Sequence, residues 1–190
     1  QENYSSALEY FHNALAISEK IPDKQTIANS NNYIGVIHRA LGNNSEAVKY
    51  YLKSSNLYDE ISDKKGLASV HNNLGAIETE EGNYSKAIEY LNKALNIKKE
   101  LGDKQGTALA LNNIGTVYAK LASVASPDSA AYREQLYEKA LENMQNGIIL
   151  AKEIGAKDDM KSFYNDLAET YQAMGNFREA YNYHRLYAAM

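Results

Sequence analysis

A motif that recurs every 40 residues restricts this chain to a narrow group of folds. Gly35, Gly75 and Gly115 each follow an asparagine by three positions, and an aliphatic residue stands directly before each glycine. A fixed period of this size is typical of solenoids, in which each repeat buries its apolar face only against its neighbours. We therefore expect a core that lengthens with the number of repeats and has no single centre.

Each repeat contains two stretches with the apolar spacing of a half-buried helix. Between residues 86 and 101, for example, apolar residues recur three and four positions apart. Aspartates such as Asp103 stand where an N-cap is expected, and glycines such as Gly82 suit the left-handed residue that ends a helix. The predicted helices cover residues 3–20, 24–41, 44–61, 64–81, 84–101, 104–124, 127–154, 157–174 and 177–190.

The repeat spacing changes once, in the C-terminal half of the chain. Ala140-Leu141-Glu142 matches Ala87-Ile88-Glu89 at a distance of 53 residues, which places thirteen additional residues near 122–134. Ser126-Pro127-Asp128 predicts a helix start there, because proline is favoured in the first turn. We therefore expect the insertion to lengthen two helices and not to form a loop.

The predicted organisation is a single array that begins and ends within a repeat. Solenoid ends need a polar outer face, so we expect this sequence to be part of a longer protein. The array consists of a half repeat at 1–22, repeats at 23–62, 63–102 and 103–155, and a truncated last repeat at 156–190.

Composition excludes several classes of function. Basic and acidic residues number 20 and 24 and are mixed along the chain, so we expect no nucleic-acid partner. The absence of cysteine excludes disulfides and thiol catalysis, and it fits a cytoplasmic and a periplasmic location equally well. No apolar run approaches the roughly 18 residues of a membrane helix, so we expect no membrane insertion of this part of the chain.

The sequence contains none of the common signatures of catalysis. The four histidines lack the spacing of a metal-binding helix, and neither a nucleophile elbow nor a phosphate-binding loop is present. We therefore expect a protein that is not an enzyme, with no catalytic residues, no metal site and no cofactor.

These features together resemble the tetratricopeptide repeat, in its variant of about 40 residues. The repeat glycines match the family's small residue at the point where paired helices approach. The stretch from Ile97 to Gly106 is similar to the link between helices in arrays of bacterial signalling proteins. The resemblance implies an all-α, right-handed superhelix of about nine antiparallel helices that binds proteins. A second small position, early in the second helix of each pair, is matched by Ala7, Ala47, Ala87, Ala140 and Ala180.

The resemblance also implies that the first helix of each pair lines a concave groove. Asparagines recur there because a carboxamide, with both a donor and an acceptor, can pair with a peptide backbone. The alternative is that some of them satisfy contacts between helices. Arg39 is the cation expected in the groove, and the charged clamp of chaperone-binding members is not matched, so an acidic C-terminal tail is not the expected ligand. The candidate groove residues are Asn32, Arg39, Asn72, Asn73, Asn112, Asn113, Asn165 and Glu169, and Asp166 stands where the earlier repeats have Asn73 and Asn113.

The last helix carries three tyrosines whose next repeat is missing from the sequence. Tyr181, Tyr183 and Tyr187 are therefore candidates for a homodimer contact or for packing against a further part of the protein. Tyr51, Tyr90, Tyr118 and Tyr171 fall on repeat packing positions, where a core role is expected.

The leading hypothesis is a scaffold whose groove binds a protein or peptide segment. Two alternatives remain open at this point. One is a regulatory input module of a larger signalling protein, such as a histidine kinase, a cyclase or a transcription regulator. The other is a structural arm that dimerises through its last helix.

Overall fold

The computed structural model describes residues 2–18, 20, 23–126 and 129–190. This described part of the chain contains nine α-helices and no strands, which confirms the predicted all-α fold. In chain order the helices are α1 (Glu2–Ser18), α2 (Lys24–Ala40), α3 (Asn44–Glu60), α4 (Lys64–Glu80), α5 (Tyr84–Glu100), α6 (Lys104–Val124), α7 (Ala130–Glu153), α8 (Lys157–Ala173) and α9 (Phe177–Ala188).

Aspartate side chains begin three of the helices, as the sequence predicts. Asp23, Asp63 and Asp103 accept hydrogen bonds from the backbone N–H three residues later, at 3.1, 3.0 and 2.8 Å. Each bond satisfies one of the N–H groups that the first turn of a helix leaves without a partner. The caps therefore fix where α2, α4 and α6 begin.

Left-handed residues end several of the helices. Gly42 and Gly82 have φ angles of 77° and 78°, which glycine adopts without steric cost. Ser62 takes the same position in the link after α3 with a φ of 57°. A residue with a β-carbon pays roughly 1 kcal/mol or more for this conformation, so Ser62 is a strained stand-in for glycine.

The described part of the additional stretch near 122–134 includes the end of α6 and the start of α7, which are the two longest helices. Helix α6 has 21 residues and α7 has 24, whereas α2, α3, α4, α5 and α8 have 17 each. The predicted helix start at Pro127 and Asp128 lies outside the described residues. The described helix begins at Ala130, after Ser129.

The helices form two compact units, which we call unit 1 (1–83) and unit 2 (84–190). Within each unit, helices that follow one another in the chain pack together. In addition, α2 contacts α4 in unit 1, and α6 contacts α8 in unit 2. The first helices of successive repeats therefore lie side by side in each unit.

The repeat glycines stand where paired helices come closest. A β-carbon at Gly35 would lie 2.7 Å from the ring of the buried Tyr51 in unit 1. In unit 2, a β-carbon at Gly115 would lie 2.6 Å from the Met144 side chain and 2.7 Å from the Ala140 carbonyl oxygen. Both separations are too short for carbon, so close helix packing is the physical reason for the glycine of the motif.

Candidate functional site

The predicted groove residues lie on two surfaces, one in each unit. We call these the first-helix faces: α2 with α4 in unit 1, and α6 with α8 in unit 2. Each consists of two adjacent helices, so side chains from successive repeats can meet across it. The described contacts show that they do.

In unit 1, two candidate asparagines are hydrogen-bonded to each other. The Nδ2 of Asn73 on α4 donates to the Oδ1 of Asn32 on α2 at 3.3 Å, and both residues are half-buried. Asn72, next to Asn73, is also half-buried. Within the described part of the chain, the Nδ2 of Asn32 has no hydrogen-bond partner. The pair thus joins two repeats and keeps donor capacity for a ligand.

Arg39, the cation expected in the groove, forms an ion pair within unit 1. Its Nε and Nη2 donate to the same oxygen of Glu80 on α4, at 3.1 and 2.6 Å. Sequence reasoning missed Glu80. Its position was the available signal, because Glu80 directly follows Thr79, which is the equivalent of Arg39 in the next repeat. The Arg39 charge is therefore largely neutralised before any ligand arrives.

In unit 2, the asparagine at the position equivalent to Asn32 is buried. Asn112 on α6 is only 4% exposed, and its Nδ2 donates to Oδ2 of Asp166 on α8. The Oδ1 of Asn112 is also buried and has no partner in the described structure. Asn112 therefore acts mainly on Asp166 and presents little surface of its own, whereas Asn113 is half-buried.

The last two candidates are one turn apart on α8. Asn165 is half-buried and donates its Nδ2 to Oε1 of the exposed Glu169 at 2.8 Å. This bond holds the Glu169 carboxylate against the helix. Asp166 lies on the same side of α8 as Glu169, because residues three apart are neighbours on a helix surface. The structure thus brings Asn112, Asp166, Asn165 and Glu169 together in one region.

These carboxylates line a cavity of about 160 Å³ between α6, α7 and α8, which we call the acidic pocket. Burial raises the pKa of Asp166 and the charge of Glu169 raises it further, while the Asn112 hydrogen bond and the Lys120 charge act in the opposite direction. The Asn112 hydrogen bond and the Lys120 charge therefore stabilise the ionised form of Asp166 less than burial and Glu169 destabilise it. The residues of the pocket that matter here are Thr116, Lys120, Met144, Asp166, Glu169 and Thr170.

A second cavity of about 500 Å³ adjoins the acidic pocket, with which it shares Ser123 and Ala173. Its wall includes Arg133 and Glu134 at the start of α7, within the region where the sequence has its additional residues. The larger cavity carries one charge of each sign from α7, so its electrostatic character is more balanced than that of the acidic pocket.

The three tyrosines of α9 lie in different environments. Tyr183 is half-buried and stacks on Tyr171, with ring centroids 5.5 Å apart and planes 8° apart. Tyr181 is 64% exposed, and Tyr187 is exposed with the Lys161 ammonium 5.3 Å from its ring centroid. Phe177 is 70% exposed and was missed by sequence reasoning, although an aromatic residue directly after the Gly175-Asn176 turn was visible. Exposed aromatic area on α9 therefore centres on Phe177 and Tyr181.

Two features are absent from the described residues. None of their helices is long and apolar enough to cross a membrane. They also contain no cluster of three or more histidine, cysteine, aspartate or glutamate side chains placed to hold a metal ion.

Comparison with known families gives a direct match. The family model for the tetratricopeptide repeat matches residues 1–60 and 66–123, which is more than half of the chain. No curated protein sequence matches.

Several solved structures have the same fold at low sequence identity. BtubC (BKLC) from P. vanneervenii is 18% identical with a TM-score of 0.79, and the match covers 99% of this chain and 74% of that one. A putative kinesin light chain from P. anserina with nearly identical TPR-like repeats is 16% identical, with a TM-score of 0.71 over 98% and 86% of the two chains. The apo form of RapI is 20% identical with a TM-score of 0.65, over 98% of this chain and 61% of its own. These similarities confirm the helical solenoid fold.

Proposed function

Because this chain belongs to the tetratricopeptide repeat family, we propose that it is a non-catalytic scaffold whose first-helix faces bind a segment of another protein. The family fold supports protein–protein interaction in general. The finer proposal, which concerns where the partner binds, rests on the side chains of α2, α4, α6 and α8.

One observation carries this proposal: half-buried amides bridge successive repeats on the first-helix face. Asn73 uses one of its two N–H groups to reach Asn32, and Asn32 has an Nδ2 group without a partner in the described structure. Free amide donors at a half-buried surface pair well with the carbonyl groups of an extended or helical segment. Such pairing holds a backbone without demanding one particular sequence.

A pull-down from a lysate of the source organism tests the proposal with matched variants. The test bait carries Asn32→Ala and Asn73→Ala. The control bait carries Asn92→Ala and Asn143→Ala, which remove amides bonded only to carbonyls of their own helices, α5 and α7. Circular dichroism establishes that all baits are folded.

The proposal expects at least one protein that wild type and control bait retain and the test bait loses. Identical retention by all three baits would contradict it, since the first-helix face would then contribute nothing to capture.

A second candidate function, self-association through α9, is favoured by the exposure of Phe177 and Tyr181. Sedimentation velocity of the chain tests it, with Tyr181→Ser as the variant and Tyr132→Ser, an exposed tyrosine of α7, as the control. A dimer that only Tyr181→Ser weakens supports this role. A monomer at all concentrations contradicts it.

The regulatory input module adds an output domain to the same scaffold. Binding on the first-helix faces would then shift the output domain between two states. The coding sequence downstream of Met190 tests this, because a kinase, cyclase or DNA-binding motif supports the module and an immediate stop codon contradicts it.

A further inference from the structure

We propose that the acidic pocket of unit 2 binds a basic side chain, lysine or arginine, of the partner segment. This inference rests on the proposed function, because it assigns a chemical preference to one of the two first-helix faces.

The pocket has the size and the lining that a basic side chain needs. A cavity of about 150 Å³ holds a benzene molecule, so the acidic pocket, at about 160 Å³, has room for one side chain. Ala119 and Ala173 provide apolar contact for a methylene stem, while the carboxylates can reach its charged end. This distribution matches an amphipathic lysine or arginine better than a purely apolar residue.

The charge of the pocket is negative after its own cation is counted. Asp166 and Glu169 contribute two carboxylates, and Lys120 contributes one ammonium group. Lys120 is exposed and forms no ion pair within the described part of the chain, so its effect on Asp166 is long-range. A ligand cation at contact distance would be attracted more strongly than Lys120 is.

A hydrogen-bond acceptor next to Asp166 is also left without a partner among the described residues. The buried Oδ1 of Asn112 has no partner, and its Nδ2 is committed to Asp166, which lines the pocket. A buried acceptor without a partner costs free energy unless a donor reaches it. An ammonium or guanidinium group brings several donors and no acceptor, and so complements the Asp166 and Glu169 carboxylates that line the pocket.

The equivalent positions of unit 1 carry different side chains. The repeat places Ala119 at the position of Arg39 and Ala173 at that of Glu80, so the ion pair of unit 1 is replaced by two small residues that open the pocket. Likewise Asp166 and Glu169 stand where unit 1 has the neutral Asn73 and Ala76. Space and negative charge therefore change together, which is the pattern expected of a binding pocket for a cation.

A peptide selection followed by a double-mutant cycle tests the inference. Phage-displayed random 12-residue peptides are selected on the full 190-residue chain, and the enriched peptides are synthesised for affinity measurement. Each is measured against wild type, Asp166→Asn and Asp59→Asn, the last an exposed aspartate of α3. Asp166→Asn keeps an oxygen acceptor for Asn112 and removes only the charge.

We expect the enriched peptides to share a lysine or arginine at one position. Replacing that residue by methionine should weaken binding to wild type about tenfold or more, as for other close charge pairs at interfaces. The same replacement should have little effect in Asp166→Asn, and Asp59→Asn should behave as wild type.

The remaining outcomes separate this inference from the proposed function. If Asn32→Ala/Asn73→Ala or Asn113→Ala/Asn165→Ala weakens peptide binding but the peptides need no basic residue, the inference alone is overturned. A basic residue that matters equally in wild type and Asp166→Asn also overturns it. Failure to enrich any sequence, or binding that none of these variants affects, overturns both.

Discussion

Unit 1 and unit 2 share a repeat but differ in the chemistry of their first-helix faces. In unit 1 the faces of α2 and α4 are joined by an Asn32–Asn73 hydrogen bond and by the Arg39–Glu80 ion pair. In unit 2 alanines replace the ion pair and line a pocket, to which Asp166 and Glu169 give an excess of carboxylate. The difference separates the positions that helix packing constrains from the positions where the side-chain chemistry varies between the two units.

The constrained positions are the ones where helices touch. Tyr51 in unit 1 and Met144 in unit 2 occupy equivalent positions, both are fully buried, and each packs on the repeat glycine of its own unit. Substitutions at these packing positions should therefore change stability most, and substitutions of charged groups on the first-helix faces should change it less.

The largest effect is expected for Met144→Ala. Removing a fully buried methionine side chain should lower the free energy of unfolding by about 2–5 kcal/mol, because a cavity remains next to Gly115. Urea unfolding followed by circular dichroism measures this. Met174→Ala, which alters a methionine exposed to solvent, is the control and should change stability by less than about 0.5 kcal/mol. Equal losses in both variants would contradict the packing account.

A β-carbon at Gly115 should also be costly, although helix propensity favours alanine. The new carbon would meet the Ala140 carbonyl oxygen, which a side-chain rotation cannot relieve. We expect Gly115→Ala to lose about 1–3 kcal/mol in urea unfolding. Gly35→Ala, which meets the ring of Tyr51, is the comparison in unit 1. Stabilisation by Gly115→Ala, in line with helix propensity, would contradict the close approach.

The cap at Asp63 offers a smaller effect with a defined pH dependence. The Gly66 backbone N–H is the main cause that lowers the pKa of Asp63 below its usual 3.8. The ionised cap therefore stabilises the fold above pH 3.8, and this contribution is lost as pH falls through the lowered value. Asp63→Ala should cost about 1 kcal/mol at pH 7. The difference from wild type should shrink in acid, and a cost that grows in acid would contradict the assignment.

Asp166 should contribute a pH dependence of stability opposite in sign to that of Asp63. Burial raises its pKa in the folded state above 3.8, so stability falls as pH rises from 3.8 through the raised value. Asp166→Asn should therefore unfold at a higher temperature than wild type at pH 7, and the two should converge in acid. Thermal melts across this range measure the difference. A less stable Asp166→Asn at pH 7 would show that the charge stabilises the fold.

The smallest effect is expected for the ion pair of unit 1. Arg39 and Glu80 are both partly exposed, and pairs of this kind contribute about 0–1 kcal/mol. A double-mutant cycle with Arg39→Gln and Glu80→Gln measures their coupling, which should also weaken at high salt. Coupling well above 1 kcal/mol would mean that the pair holds α2 and α4 together.

The sequence predicts the helices well because its signals are local and repeated. Helix starts after Asp23, Asp63 and Asp103 agree with the structure, since each cap is specified within three residues. The predicted start of α7 at Pro127 lies outside the described residues and stays a prediction, and the described helix covers Ala130–Glu153.

The candidate site is harder to predict from the sequence, because it depends on contacts between repeats. The asparagines that the motif treats alike lie in different environments: Asn32 and Asn73 pair with each other, while Asn112 is buried against Asp166. These differences follow from which side chains face each other across two helices, and no local signal carries that information.

Carboxyl footprinting can locate a bound partner on the first-helix face of unit 2. The chain is labelled with a carbodiimide and an amine, alone and with a partner captured by wild-type bait, and labelling is measured at each acidic residue. We expect the partner to protect Asp166 and Glu169, while the exposed Glu89 and Glu142 on α5 and α7 react as before. Protection of Glu89 or Glu142 with unchanged labelling of Asp166 and Glu169 would contradict binding on the first-helix face of unit 2.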